Sequence, residues 1–171
     1  MDVLRSAIEA AKRNNISTVI VASTTGDTAL KFLGLVKSEK LKVIVVTHDE
    51  ERPIDQGRFK EDTRRILLAH NITVYTHNSH RSLLQKTLSR LVAKFGFSSW
   101  RRHLQEVKGK YGTGIKVCHI IAKMLVEGMV LREDRVVAIA GTKSGADSAG
   151  IFLIKPKNKW PILEEIIIGR T

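Results

Sequence analysis

The chain has 171 residues, of which 43% are hydrophobic, and this is enough to bury the core of one domain spanning residues 1–171. Lysine and arginine number 29 against 17 acidic residues, so the formal net charge is +12 and an anionic partner is favoured, either nucleic acid or a phosphorylated small molecule. A single cysteine excludes an internal disulfide, and no apolar run reaches the ~20 residues of a membrane span. Because Met1–Arg5 also lacks the charge pattern of a signal peptide, we expect a soluble, cytoplasmic protein.

Helical periodicities and short β-branched runs alternate along the chain. Apolar residues that recur at i, i+3, i+4 and i+7 predict helices, and uninterrupted runs of β-branched residues predict strands that are covered on both faces. In chain order the pattern predicts helix 4–11, strand 18–22, helix 29–36, strand 41–47, helix 59–70, strand 72–76, helices 84–92, 100–111 and 115–129, strand 136–140, and strands 151–154 and 164–168.

This order predicts a three-layer α/β/α fold with a mostly parallel sheet. Strands that alternate with helices pair in parallel through right-handed crossovers. Only residues 155–161 separate the last two strands, which is too short for a crossover helix, so the C-terminal strand is predicted to be antiparallel. Its run Ile166-Ile167-Ile168 would leave an apolar sheet edge, which favours self-association into a homo-oligomer.

The first predicted strand ends in a loop suited to an anion. Ser23, Thr24 and Thr25 are residues that cap helices, and Gly26 allows a positive φ or a close backbone approach. The N-terminus of the following helix exposes N–H groups and the positive end of the helix dipole, which together bind phosphate. The alternative is that these side chains only cap the helix, a contribution of about 1 kcal/mol.

Polar loops follow all four predicted parallel strands, at residues 23–28, 47–52, 76–80 and 141–147. Ligands of open parallel sheets bind at the carboxyl ends of the strands, so we expect these loops to form one phosphate site. Its predicted donors are the N–H groups of Thr25, Gly26, Thr142 and Gly145 and the hydroxyls of Ser23, Thr25, Thr28 and Ser144, with Lys143 supplying charge.

Four segments of the sequence resemble a stand-alone archaeal family whose members are similar to the C-terminal α/β domain of pyruvate kinase. They are Val21-Ala22-Ser23-Thr24-Thr25-Gly26-Asp27-Thr28-Ala29, Val45-Val46-Thr47-His48, Gly112-Thr113-Gly114-Ile115-Lys116-Val117, and residues 139–149, which contain Gly141-Thr142-Lys143-Ser144-Gly145-Ala146-Asp147. The likeness extends from about Leu4 to Ile168. Nothing in the sequence resembles the catalytic barrel of pyruvate kinase, so that activity is not expected.

The resemblance implies a ligand. In pyruvate kinase the loop that matches residues 23–28 holds a phosphate of the allosteric sugar bisphosphate, and the stand-alone members resemble flavin mononucleotide (FMN) binders. The predicted FMN-binding residues are therefore Ser23, Thr24, Thr25, Gly26, Asp27, Thr28, Thr47, His48, Gly141, Thr142, Lys143, Ser144, Gly145 and Asp147. Asp27 stands where many pyruvate kinases have a basic residue, and it is interpreted as pointing outward or binding a ribityl or ribose hydroxyl.

Other chemistry has weaker support in the sequence. Gly141-Thr142-Lys143-Ser144 lacks the upstream glycine of a phosphate-binding P-loop, and His77 with His80 lacks the further ligands of a metal site, so no metal is predicted. Cys118 lies on the apolar face of its helix and is expected to pack in the core. No catalytic residue or reaction is assigned, and Asp147 is read as a helix cap.

Two alternative functions stay open. The first is nucleic-acid binding through the basic surface, for which the 5% aromatic content offers little stacking area, so weak binding without sequence preference is expected. The second is a regulatory subunit that keeps the ligand-binding fold without catalysis.

Overall fold

The computed structural model describes residues 2–47, 58–77, 99–132, 134–142, 145–155, 157–158 and 160–169. Its helices and strands in chain order are α1 (Val3–Arg13), β1 (Thr18–Ala22), α2 (Asp27–Val36), β2 (Lys42–Thr47), α3 (Glu61–Ala69), β3 (Thr73–Thr76), α4 (Ser99–Glu127), β4 (Asp134–Ala140), β5 (Ser148–Ile154) and β6 (Ile162–Ile168). These agree with the predicted elements within a few residues, and the helix predicted over 84–92 lies outside the described residues.

The strands form one mixed sheet in the order β3-β2-β1-β4-β5-β6. The first four in this order are parallel, as predicted, with Ile20 at the centre opposite Ile44 on one side and Ala138 on the other. β5 is antiparallel to β4, and β6 is antiparallel to β5, which confirms the predicted direction of the last pair. β5 begins three residues earlier than predicted, because the Asp147 N–H donates to the Ala140 carbonyl (3.0 Å) and returns the chain to the sheet directly after Asp147.

Helices cover both faces of the sheet, which confirms the three-layer fold. On one face α1, α2 and α3 pack on alternate strand residues, including Val19, Val43 and Val137. On the other face α4 packs on the intervening residues, including Ile20, Ile44 and Ala138. Both faces of the central strands are therefore buried, which is why their sequences read as continuous apolar runs rather than as alternating ones.

Helix α4 bends at a glycine. Gly112 has φ 85° and ψ 174°, values outside the helical range, so α4 consists of two helical segments that meet there, close to where the sequence predicts one helix to end and another to begin. Glycine adopts a positive φ without the steric strain that other residues would incur. A Cβ at the nearby Gly114 would overlap the Ser148 side chain, so the second segment lies with its backbone against the start of β5. The segment ends at Glu127, two residues before the predicted end at 129.

Strand β6 forms one edge of the described sheet. Its apolar side chains include Ile162 and Ile166, each 40% exposed. Self-association along this edge stays a prediction. Among the described helices, none combines the length and the apolar character that crossing a membrane requires.

His119 on α4 is buried beneath the sheet and should make stability depend on pH. Burial, with a smaller effect of the neighbouring His103, lowers the pKa of His119 from its ordinary 6.5 to about 4. Between pH 6.5 and 4 the unfolded chain protonates this histidine and the folded chain does not. The stability of the folded protein is therefore highest above pH 6.5 in respect of this group, and it falls as the pH is lowered towards 4. We expect the free energy of unfolding to drop by about 2–3 kcal/mol from this group over that range. Denaturant unfolding at a series of pH values measures it.

The matched variant for this prediction is His119→Gln, which keeps a polar side chain but does not titrate. Its unfolding free energy should vary less with pH between 6.5 and 4 than that of the parent chain. Equal pH dependence in the two proteins would contradict the assignment to His119.

Candidate ligand-binding cleft

A cleft of about 570 Å³ opens at the carboxyl ends of β1, β2 and β4. This volume is within the range of roughly 300–1,000 Å³ that small-molecule sites occupy. It is lined by Ala22, Ser23, Thr24, Thr25, Asp27, Thr28, Lys31, Val46, Thr47, Val117, Ile120, Ile121, Met124, Gly141, Thr142 and Gly145. The cleft therefore lies at the sheet end where the sequence predicts a site.

The loop from β1 to α2 leaves two backbone donors at this end of the helix. The Ser23 hydroxyl accepts from the Ala29 N–H (3.4 Å), and the Thr25 hydroxyl accepts from the Asp27 N–H (3.5 Å). The first N–H groups of a helix have no partner within the helix, so those of Gly26 and Thr28 remain as donors at the positive end of the helix dipole. This geometry suits an anion.

Gly26 acts through packing and backbone conformation. It precedes α2 with φ 98°, which other residues adopt at a cost. A Cβ built on Gly26 would lie 2.6 Å from Cγ2 of Thr63 in α3, and Gly26 is not among the residues that line the cleft. A larger residue here would displace α3 before it reached a ligand, so substitution of Gly26 is a poor test of binding.

Asp27 brings a negative charge to the mouth of the cleft. Its carboxylate accepts from the Thr25 hydroxyl (2.8 Å) and lies 3.7 Å from the Lys60 ammonium. The Asp27 side chain is 63% exposed, so this pairing with Lys60 is screened by water. Asp27 therefore orients the Thr25 hydroxyl while standing partly in solvent.

The opposite wall of the cleft is apolar and comes from α4. Val117, Ile120, Ile121 and Met124 face the cleft, and Val46 continues the surface. Sequence reasoning missed this wall, although its i, i+3, i+4, i+7 spacing beside the core-facing stripe was a visible signal of a second apolar face. It also missed Lys31, which lies one helical turn after Asp27 and adds a positive charge to the lining.

Asp147 holds the turn between β4 and β5. One carboxylate oxygen accepts from the Thr142 N–H (3.0 Å) and from the Thr142 hydroxyl, and the other accepts from the Ser148 hydroxyl (2.9 Å). The reading of Asp147 as a helix cap is wrong, since β5 follows it directly. A Cβ on Gly141 would overlap the Gly145 carbonyl oxygen, so the same turn requires glycine at position 141.

The structure brings most of the predicted site residues together. Those that line the cleft are Ser23, Thr24, Thr25, Asp27, Thr28, Thr47, Gly141, Thr142 and Gly145. Gly26 and Asp147 shape the two loops without lining the cleft. Three further predicted residues, His48, Lys143 and Ser144, lie outside the described residues.

Cys118 is a core residue that does not reach the cleft. Cys118 is fully buried and its thiol donates to the Ala138 carbonyl (3.4 Å), which confirms the predicted core position. Burial, with a smaller effect of Asp147, raises the pKa of this thiol well above its ordinary value, so it stays protonated. In the part of the chain that the structure describes, no group of three or more His, Cys, Asp or Glu side chains is gathered in a way that could hold a metal ion.

The structure is thus a three-layer domain with a mostly parallel sheet, a polar loop after β1 and a cleft at the carboxyl ends of the strands. Residues 1–152 match the family described as pyruvate kinase, alpha/beta domain. The chain belongs to this family. The match includes every segment that lines the cleft and ends within β5, before β6 begins.

Proposed function

We propose that the protein binds a phosphorylated small molecule, most specifically FMN, in this cleft. The observation that carries the proposal is the division of the lining into a polar end at the start of α2 and an apolar wall on α4. A ligand with a phosphate at one end and a flat apolar ring system at the other matches both parts, because pockets orient their ligands through few polar groups and gain affinity from apolar contact.

The residues present fit FMN. The N–H group and the hydroxyl of Thr28 would hold the phosphate at the start of α2, and Lys31 would offset its charge. The apolar residues of α4 would cover the flavin ring and exclude water from it. When bound, FMN could supply electron or hydride transfer. The role proposed for this chain's own residues is to bind and orient the ligand, and no reaction is assigned.

The phosphate should provide a large part of the affinity. We expect FMN to bind at least about 10-fold more tightly than riboflavin, because charge-assisted hydrogen bonds contribute about 1.5–3 kcal/mol each. Titration of each compound into the protein, followed by the quenching of flavin fluorescence, measures the two dissociation constants. The absorption spectrum of protein purified without added ligand shows whether a flavin is already bound. Equal affinities would contradict the phosphate site.

A further inference from the structure

A second cavity, of about 510 Å³, lies on the opposite face of α4 from the cleft. We call it the aromatic groove and define it by His103, Tyr111, His119, Lys157, Trp160 and Ile162, which contribute to its lining. It shares no lining residue with the cleft, whose α4 contacts are Val117, Ile120, Ile121 and Met124. A ligand of the groove is therefore separate from the ligand proposed above.

Stacked rings form one side of the aromatic groove. Trp160 lies 4.7 Å from Trp100 between ring centroids, at an interplanar angle of 21°, and 5.0 Å from His103 at 4°. These are the only two tryptophans of the chain. Trp160, His103 and Tyr111 all line the groove, so a flat ring that enters it would contact aromatic side chains.

Two imidazole nitrogens of the groove lack hydrogen-bond partners among the described residues. They are Nδ1 of His119, a residue only 4% exposed, and Nε2 of His103. Buried polar atoms without partners are rare in proteins, and a bound group or a water molecule that reaches them would complete their hydrogen bonding. His119 stays neutral near pH 7, because burial lowers its pKa, and a neutral imidazole has one donor and one acceptor nitrogen. The edge of a nucleobase offers matching groups.

Lysines surround the aromatic groove. Lys157 belongs to the lining, and the Lys110 ammonium lies 4.9 Å from the Tyr111 ring centroid. The Lys123 ammonium lies 5.1 Å from the Trp160 ring centroid and also pairs with Glu127 (3.4 Å), which offsets part of its charge. Lys155 is exposed nearby in the chain, between β5 and β6. In a chain of net charge +12 these lysines favour an anionic partner. They disfavour a second copy docked groove to groove, since like charges would then face each other.

We propose that the aromatic groove binds single-stranded nucleic acid, with a base stacked beside Trp160 and the flanking phosphates on the surrounding lysines. Stacking is the general way in which proteins hold unpaired bases, and lysines along the rim follow the backbone. This reverses the expectation of weak binding drawn from the sequence, in which the basic and aromatic residues are scattered along the chain and meet only in the fold.

The fluorescence of the two tryptophans reports directly on binding in the groove. Titration with an unlabelled 12-nucleotide oligo(dT), followed by tryptophan fluorescence, should quench the emission, and the affinity should fall with added salt at a logarithmic slope of about −2, as expected for roughly three phosphates. Inorganic polyphosphate of similar charge has no bases and should bind more weakly without comparable quenching. Equal binding and quenching by polyphosphate would overturn the proposal.

Two charge-reversal variants distinguish binding at the groove from attraction by the overall positive charge. Lys157→Glu should weaken oligo(dT) binding at least about 10-fold, whereas Lys37→Glu, which changes the net charge equally on the far side of the sheet at the end of α2, should weaken it less than about 3-fold. Trp160→Leu should abolish the stacking contribution, and Trp160→Phe should retain most of it and serve as the folded control. Equal losses in the two charge variants would refute a binding site at the groove.

The two ligands should also bind independently. Saturating FMN should leave the oligo(dT) affinity unchanged within about 2-fold, since the linings are separate. Displacement of one by the other would place both in the cleft and overturn the assignment to the groove. Dimerisation that buries the tryptophans, seen as a concentration-dependent mass with no oligo(dT) binding, would instead identify the groove as a subunit interface.

Discussion

Thr28→Glu is expected to weaken FMN binding on the order of 100-fold while leaving the protein folded. Thr28 lines the cleft in the first turn of α2, so a carboxylate there would stand close to the ligand phosphate. Two like charges about 5 Å apart near a protein surface repel by roughly 3 kcal/mol. An acidic residue in the first turn favours the helix itself, so stability should hold or rise slightly. Flavin titration and thermal unfolding measure the two effects.

Thr28→Gln is the matched control, because it has nearly the shape of the glutamate variant without its charge. We expect it to lose only the Thr28 hydroxyl contact, about 1 kcal/mol or roughly 5-fold in affinity. Riboflavin should bind the two variants alike. If the glutamate and glutamine variants bound FMN equally, the anion would lie elsewhere and the proposed orientation of the ligand would be wrong.

Gly141→Ala is expected to destabilise the protein strongly, although it adds only one methyl group. Its Cβ would overlap the Gly145 carbonyl oxygen across the turn between β4 and β5, and a backbone atom cannot move aside as a flexible side chain can. We expect a loss of about 3 kcal/mol or more in the free energy of unfolding, measured by urea denaturation. FMN affinity should fall as well, since Gly141 and Thr142 line the cleft.

Substitutions of two other glycines serve as controls, because the expected direction of their effect on stability follows from their surroundings. Gly145 has φ 84° in open space, so Gly145→Ala should cost only about 1–2 kcal/mol, the strain of the left-handed conformation. Gly34 lies within α2 with no neighbour near its Cβ position, and Gly34→Ala should stabilise the protein by about 0.5–1 kcal/mol. A loss at Gly141 no larger than that at Gly145 would mean that the turn relaxes at little cost.

The fold could be predicted from the sequence because the apolar pattern of each strand and helix matches the faces that the structure buries. β1, β2 and β4 are covered on both sides, so their continuous β-branched runs identified them directly. The start of β5 was missed, because Asp147 and Ser148 are polar and the turn is closed by their side chains rather than by a familiar hairpin sequence.

The sequence predicted the part of the cleft that is formed by the loops at the carboxyl ends of the parallel strands. Carboxyl ends of parallel strands meet at one sheet edge, so residues 23–28, Thr47 and Gly141 could be assembled without knowing any distance. The apolar wall of α4 was missed although its spacing is visible, because helical periodicity shows that a second apolar face exists but not which part of the fold that face lies against. The aromatic groove escaped for a similar reason, since Trp100 and Trp160 are 60 positions apart and meet only when the strand-to-strand connection after β5 reaches α4.

The cleft collects residues from the chain between positions 22 and 145, on two strands, two helices and the loops that follow β1 and β4, and only the folded sheet brings them together. A ligand held there therefore has affinity only for the native state, and thermodynamic linkage adds its binding free energy to that of folding. At a ligand concentration 100 times the dissociation constant this amounts to about 2.7 kcal/mol. Because β1 lies between β2 and β4 at the middle of the sheet, that energy would resist separation of the two halves of the sheet.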